Sequence, residues 1–145
     1  MLESGLNGII ERFIPVSEIN SCMAYGNGHI NDTYVVNCKN GKRCILQRMN
    51  KSVFQNPEEV MINIEKVLSY LEKQTVDKHG LMSLVSAENG RFFIQDSCGE
   101  YWRMYDFIEN AICLEKPDSK EDFYQCAVAF GKFQKQLSNF PADEL

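Results

Sequence analysis

The sequence predicts an α+β fold, a five-stranded antiparallel sheet with one long helix inserted after its third strand. Three observations carry this. Runs of strand formers are separated by short glycine or Asn-Gly turns, which join antiparallel neighbours. A helix-start signature, Asn56-Pro57-Glu58-Glu59, interrupts the strands after the third of them. Beyond Pro117-Asp118-Ser119 a second apolar stripe at helical spacing closes the chain.

Taken in order, residues 7–14 carry Ile9, Ile10, Phe13 and Ile14 and read as a short amphipathic helix that ends before Pro15. Residues 19–25 read as the first strand and 33–38 as the second, with a glycine segment as the turn between them. Asn40-Gly41 is the strongest hairpin signal in the chain and leads into a third strand, Arg43 to Met49. Asn56 then stands as an N-cap, Pro57 at the first helical position, and Glu58 and Glu59 in the first turn, where acids favour the helix dipole. Val60, Met61, Ile64, Val67, Leu68 and Leu71 recur at spacings of three and four, and Gly80 follows as a stop. Leu81 to Val85, Arg91 to Gln95 and Tyr101 to Ile108 are three further candidate strands, joined by turns at 88–90 and 97–100. From Lys120 onward Phe123, Cys126, Ala127, Phe130, Phe133, Gln134 and Leu137 mark a second long helix, ending near Asn139-Phe140-Pro141.

The 145 residues suffice for one ordinary core or a lobe with an appendage. A net charge of −5 argues against a nucleic-acid partner, which needs a basic face to displace counterions. No apolar run approaches the roughly 20 residues of a membrane span, and the first residues, MLESGLNGIIERF, do not read as a signal peptide. A cytoplasmic location is the expectation. Six cysteines without CxxC spacing and only two histidines read as buried, reduced thiols, and no metal site is expected in this chain.

The stretch AYGNGHINDTYVVN, residues 24–37, holds the functional question. Gly26-x-Gly28 lacks the third glycine of a dinucleotide fingerprint, and strand formers follow it where a Rossmann unit needs a helix. No Gly-Lys-Ser/Thr follows, so it is not a Walker loop. Two readings remain: a tight turn, or a glycine hairpin that lies over phosphates and donates backbone N–H groups, as in protein kinases.

The strings GNGHINDTYVV, ILQRMNKSVFQNPEEVMINIEKV, EYWRMYDFIEN and FGKFQKQLSNFPADEL, in that order, resemble the N-terminal part of the phosphotransferase family of aminoglycoside and choline kinases. Within it they are most similar to the N-acetylhexosamine 1-kinase branch. The resemblance spans nearly the whole chain. It implies a kinase-like N-lobe over residues 1–108, then over 109–145 a hinge and the first helix of a C-terminal lobe that is otherwise missing. The implied ligand is ATP with Mg²⁺, and the implied acceptor is a small-molecule hydroxyl, such as that of an N-acetylhexosamine. No nucleic acid or membrane partner is implied.

By that resemblance, Gly26, Asn27, Gly28, His29, Ile30 and Asn31 cover the phosphates, with Asp32 turned away to cap the second strand. The third strand should present a cation. The family's lysine aligns with Gln47, and Arg48 follows it; successive strand residues face opposite ways, so only one of the two points into the cleft. Glu65, beside the apolar stripe of the long helix, takes the place of the glutamate that pairs with the lysine. Adenine would pair with the carbonyl of Asp106 and the N–H of Ile108, while Trp102 and Phe107 read as core.

Phosphoryl transfer also needs a base and Mg²⁺ ligands. In this family they lie in a motif of the HxDxxxxN kind and a later acidic residue, and neither occurs in the sequence. No catalytic residue is therefore assigned, and the chain alone is expected to be inactive. Exposed Phe123, Phe130 and Phe133 would favour self-association. The alternatives are a non-catalytic nucleotide-binding or interaction module, and a structural α+β domain that holds no nucleotide.

Overall fold

The computed structural model describes residues 5–26, 28, 30–74, 81–111 and 116–145, and the backbone alone of Glu144. The elements are α1 (Asn7–Glu11), β1 (Ile19–Ala24), β2 (Asp32–Cys38), β3 (Arg43–Arg48), α2 (Pro57–Gln74), β4 (Phe93–Gln95), β5 (Tyr101–Asp106) and α3 (Lys120–Gln136). Single 3₁₀ turns stand at Val16–Glu18 and Ala142–Glu144. The chain divides into two compact units, 1–62 with 82–108, and 63–81 with 109–145.

The first unit is built on one antiparallel sheet in the order β1-β2-β3-β5-β4. β1, β2 and β3 form a meander, and the Asn40-Gly41 turn between the last two puts Gly41 at a φ of 85°, the left-handed region that glycine enters without strain. β5 then lies against β3, and the long helix between them in sequence is the crossover.

Alternation along the strands separates two faces. One carries Cys22, Val36, Cys44, Leu46, Ile94, Trp102 and Met104, packed with Leu6 and Ile10 of the N-terminal helical segment into a single core. Val36, Cys44, Leu46 and Met104 have no solvent exposure there. Burying a side chain of this size is worth about 1.5–3 kcal/mol, so this packed face contributes substantially to the sheet's stability. The opposite face mixes apolar and polar groups in cross-strand rows. The second unit holds the rest of α2 and all of α3. Ser119 caps α3 by accepting a hydrogen bond from the Asp122 N–H at 3.1 Å, and the Tyr70 and Phe140 rings meet edge to face.

Several boundaries differ from the sequence reading. The first helix ends at Glu11 and not at residue 14; Phe13 and Ile14 still donate to the Ile10 carbonyl, but Pro15 forces the chain out of the helical region. Residues 81–85 do not form a strand. Leu84 makes one bridge to Tyr105, while β4 takes Tyr101 to Arg103, so the outer edge of β5 is shared between two short segments. Of the five described cysteines, Cys22, Cys38 and Cys44 are buried as expected, but Cys98 and Cys126 are exposed, one in a turn and one on α3. Cys113 and the Gly80 stop lie outside the described residues.

Candidate functional site

The polar face of the sheet has one row that needs explanation. Residues directly opposite on paired strands share a face, and the pairings Thr33↔Gln47, Gln47↔Arg103 and Phe93↔Arg103 place those side chains in line across β2, β3, β5 and β4. The Tyr25 N–H donates to the Thr33 carbonyl at 2.9 Å, so the row begins where the glycine segment leaves and re-enters the sheet. Gln47 is half-buried and engaged through both ends of its amide. Its Nε2 donates to Thr33 Oγ1 at 3.0 Å, and its Oε1 accepts from Arg103 Nε at 3.1 Å and Arg103 Nη2 at 2.8 Å. The Thr33 bond fixes the amide so that its oxygen faces the guanidinium.

Arg103 is the residue the sequence reading missed. Its third contact is weak, Nη1 to the Met61 sulfur at 3.8 Å. Burial lowers its affinity for the proton, and the neighbouring Tyr105 hydroxyl only partly opposes that. Among the described residues its hydrogen-bond partners are neutral, an amide and a thioether. The signal in the sequence was its place between Trp102 and Met104: alternation sends it to the face opposite those two buried side chains. The register that brings it to Gln47 was not readable.

Arg48 is resolved the other way. It lies one residue past Gln47 on the opposite face, where Asp32, its direct cross-strand partner, holds it in an ion pair through both Nε and Nη2. This pair raises the Arg48 pKa. Asp32 pairs with Arg48 and does not cap the backbone as expected, and it still lines the hollow of the glycine segment. A polar cleft of ≈ 410 Å³ lies beside this pair, lined by Ile30, Asp32, Arg48, Lys51 and Glu100 among others. Its four charges are matched, Arg48 with Asp32 and Lys51 with Glu100 at 2.6 Å, so it offers an anion no uncompensated cation.

The glycine segment encloses a smaller hollow of ≈ 180 Å³, lined by Tyr25, Gly26, Gly28, Asn31 and Thr33 among others. Gly26 has a φ of 78°, which the turn itself requires. Gly28 has no such φ, and a Cβ there would meet nothing within 4 Å. The same open space surrounds Gly5, Gly8 and Gly131. Asn31 anchors the end of the segment, its Oδ1 accepting from the Asn50 N–H at 3.0 Å. Ile30 is exposed. Asn27 and His29 lie outside the described residues.

At the end of β5, Asp106 forms a 2.8 Å ion pair with Lys42, its N–H donates to the Ser83 carbonyl, and the Phe107 N–H donates to the Arg43 carbonyl. Ile108 is half-buried two residues on. Phe107 lies under the Arg43 guanidinium at 3.8 Å and meets the Tyr25 ring edge to face at 5.6 Å. That aromatic pair ties the root of the glycine segment to the strand end where the resemblance puts adenine. Trp102 sits on the core face, 5% exposed, as expected. Glu65 is half-buried on α2, within the second unit.

Among the described residues no group of three or more His, Cys, Asp or Glu is arranged to hold a metal ion. No protein-family model matches the chain.

Proposed function

We propose that the polar face of the sheet, beneath the glycine hairpin, binds ATP, and that the chain is the ATP-binding lobe of a small-molecule kinase. The observation that carries the reading is a hollow lined by Gly28, where a Cβ would meet nothing within 4 Å, and by Thr33, the first residue of the row that continues to Gln47 and Arg103. A ligand that must approach the backbone closely favours a glycine there. The element order supports it: a glycine hairpin, a third strand, a long helix and two further strands, with the sheet order β1-β2-β3-β5-β4. In this reading Gly26, Gly28 and Asn31 frame the phosphates, Gln47 contributes a neutral contact, and the segment from Asp106 to Ile108 meets the base. The bound metal would neutralise phosphate charge during transfer, and its ligands are not assigned within these residues. The acceptor follows from resemblance alone, a hydroxyl of a sugar such as an N-acetylhexosamine.

The absence of an HxDxxxxN motif from the sequence favours binding without turnover for this chain, which is also the second reading, a non-catalytic nucleotide module. Calorimetric titration of ATP with Mg²⁺ tests both. Saturable binding that Gly28→Val abolishes in a folded protein supports the nucleotide reading. Binding unaffected by that substitution, or none at all, refutes it. Trp102, on the far face, serves as the folding reporter and not as the binding signal.

A further inference from the structure

We propose that Arg103 of β5, oriented by Gln47, is the oxyanion clamp of this lobe, supplying from a neighbouring strand the cation that β3 lacks at position 47. The inference rests on the nucleotide reading of the same face. Its argument begins with the donor count. A guanidinium has five N–H groups in a rigid fork. Arg103 uses Nε and one N–H of Nη2 on the Gln47 oxygen, and one N–H of Nη1 on a sulfur, which is a weak acceptor. Two N–H groups, one on each Nη nitrogen, donate to nothing among the described residues. They remain available as charge-assisted donors to phosphate oxygens.

Charge points the same way. Arg12, Lys42, Arg48, Lys51 and Arg91 each meet a carboxylate, whereas the hydrogen-bond partners of Arg103 among the described residues are neutral. Burial depresses its pKa, the mark of a charge without compensation, and an anion arriving there would restore it. Gln47 cannot neutralise the guanidinium, but it holds Nε and Nη2 in one plane and, through Thr33, fixes that plane relative to the glycine hairpin. With strands about 4.8 Å apart, Arg103 stands roughly 10 Å from the Thr33 strand at which the hairpin closes, a span suited to a chain of phosphates.

The test uses the 145-residue chain with inorganic tripolyphosphate, ATP and adenosine as probes. The Arg103 Nε–H resonance, identified as the one missing from Arg103→Lys, should shift on adding tripolyphosphate or ATP and stay in place with adenosine. Arg103→Met should weaken tripolyphosphate and ATP by about ten- to a hundredfold, the range for losing charge-assisted hydrogen bonds, and leave adenosine within about twofold. The double variant Gln47→Lys with Arg103→Met, which moves the charge to β3, should recover most of the loss; a merely structural role for Arg103 would not be rescued this way. If folded Arg103→Met binds ATP as wild type does while Gly28→Val does not, the clamp is overturned and the nucleotide reading stands. If tripolyphosphate shifts Arg103 but ATP binds no more tightly and adenosine not at all, the anion clamp stands and the nucleotide reading falls. Should Arg103→Met fail to fold, the wild-type resonance decides: no shift at saturating ligand overturns the clamp, and no binding of any probe overturns both.

Discussion

Replacing Asp96 with asparagine should weaken the β4–β5 turn from within, because one carboxylate there serves three donors. Oδ1 accepts from the backbone N–H groups of Cys98 and Glu100, each at 2.9 Å, and Oδ2 accepts from the Trp102 indole N–H at 2.8 Å. Asparagine keeps an oxygen for the backbone pair but turns its NH₂ toward the indole, so two donors face each other. Trp102 is 5% exposed and Asp96 half-buried, so water replaces the carboxylate only in part. The loss is one charge-assisted hydrogen bond and one stranded buried donor, about 1.5–3 kcal/mol together. The backbone bonds Asp96 N–H to Glu100 and Gly99 N–H to Asp96 do not depend on the side chain, so the turn persists and the effect is on stability. Urea unfolding followed by the single tryptophan should show a lower midpoint with an unchanged slope. The pH dependence gives a second reading. Burial alone would raise the Asp96 carboxyl, but the hydrogen bonds from Trp102, Glu100 and Cys98, with Lys51 nearby, hold it below its ordinary value of 3.8. A carboxyl depressed on folding stabilises the native state above its unfolded pKa, and that stabilisation is lost as pH falls through the lower folded value. The gap between wild type and Asp96→Asn should therefore be full near neutrality and narrow below about pH 4. An asparagine variant as stable as wild type at neutral pH, or a gap that stays constant into acid, would refute the account of the turn.

Three further outcomes follow from the same geometry. Arg48→Gln should change ATP affinity less than about twofold and stability by under about 1 kcal/mol, because the ion pair with Asp32 is roughly half exposed; a tenfold loss by calorimetry would return the phosphate cation to β3. Iodoacetamide on the native protein, read by peptide mass spectrometry, should label Cys98 and Cys126 and spare Cys22, Cys38 and Cys44. Cys44 has no exposure, and burial pushes its thiol up to about 12 although Lys42 pulls the other way, so labelling of Cys44 at the rate of Cys98 would contradict the sheet. Along α3, Phe123 and Phe130 are 67% and 63% exposed, and sedimentation should show concentration-dependent association that Phe130→Glu reduces; a monomer at every concentration would count against it.

Much of the architecture was legible because local chemistry and the global fold agree. Asn40-Gly41 demanded a hairpin, and Asn56-Pro57 a helix start, and both stand where they were read. The exposed phenylalanines of α3 were also expected, because by the resemblance that stripe faces a C-terminal lobe. What failed was decided by competition for one edge. Residues 81–85 and 91–95 carry equal strand character, but β5 spans six residues, and two segments cannot both run its full length. Periodicity records which residues can lie on a face; it holds no information about which segment reaches an edge first.

The site was legible only as far as one strand. Alternation fixed that Gln47 and Arg48 oppose each other, and left open which one faces the hairpin. In the structure a carboxylate directly across from Arg48 claims that guanidinium on the core side, and Gln47 lies on the other face, opposite Thr33. The rest depends on a contact 56 residues away in sequence. A lysine at position 47 would bring its own charge to the face. A glutamine brings an acceptor, and an acceptor on a half-buried row needs a donor beside it. Arg103 meets that need with two of its five N–H groups, and two others donate to nothing among the described residues. Under the proposal that Arg103 clamps phosphate, a residue that looks like the loss of a phosphate contact becomes the support of one.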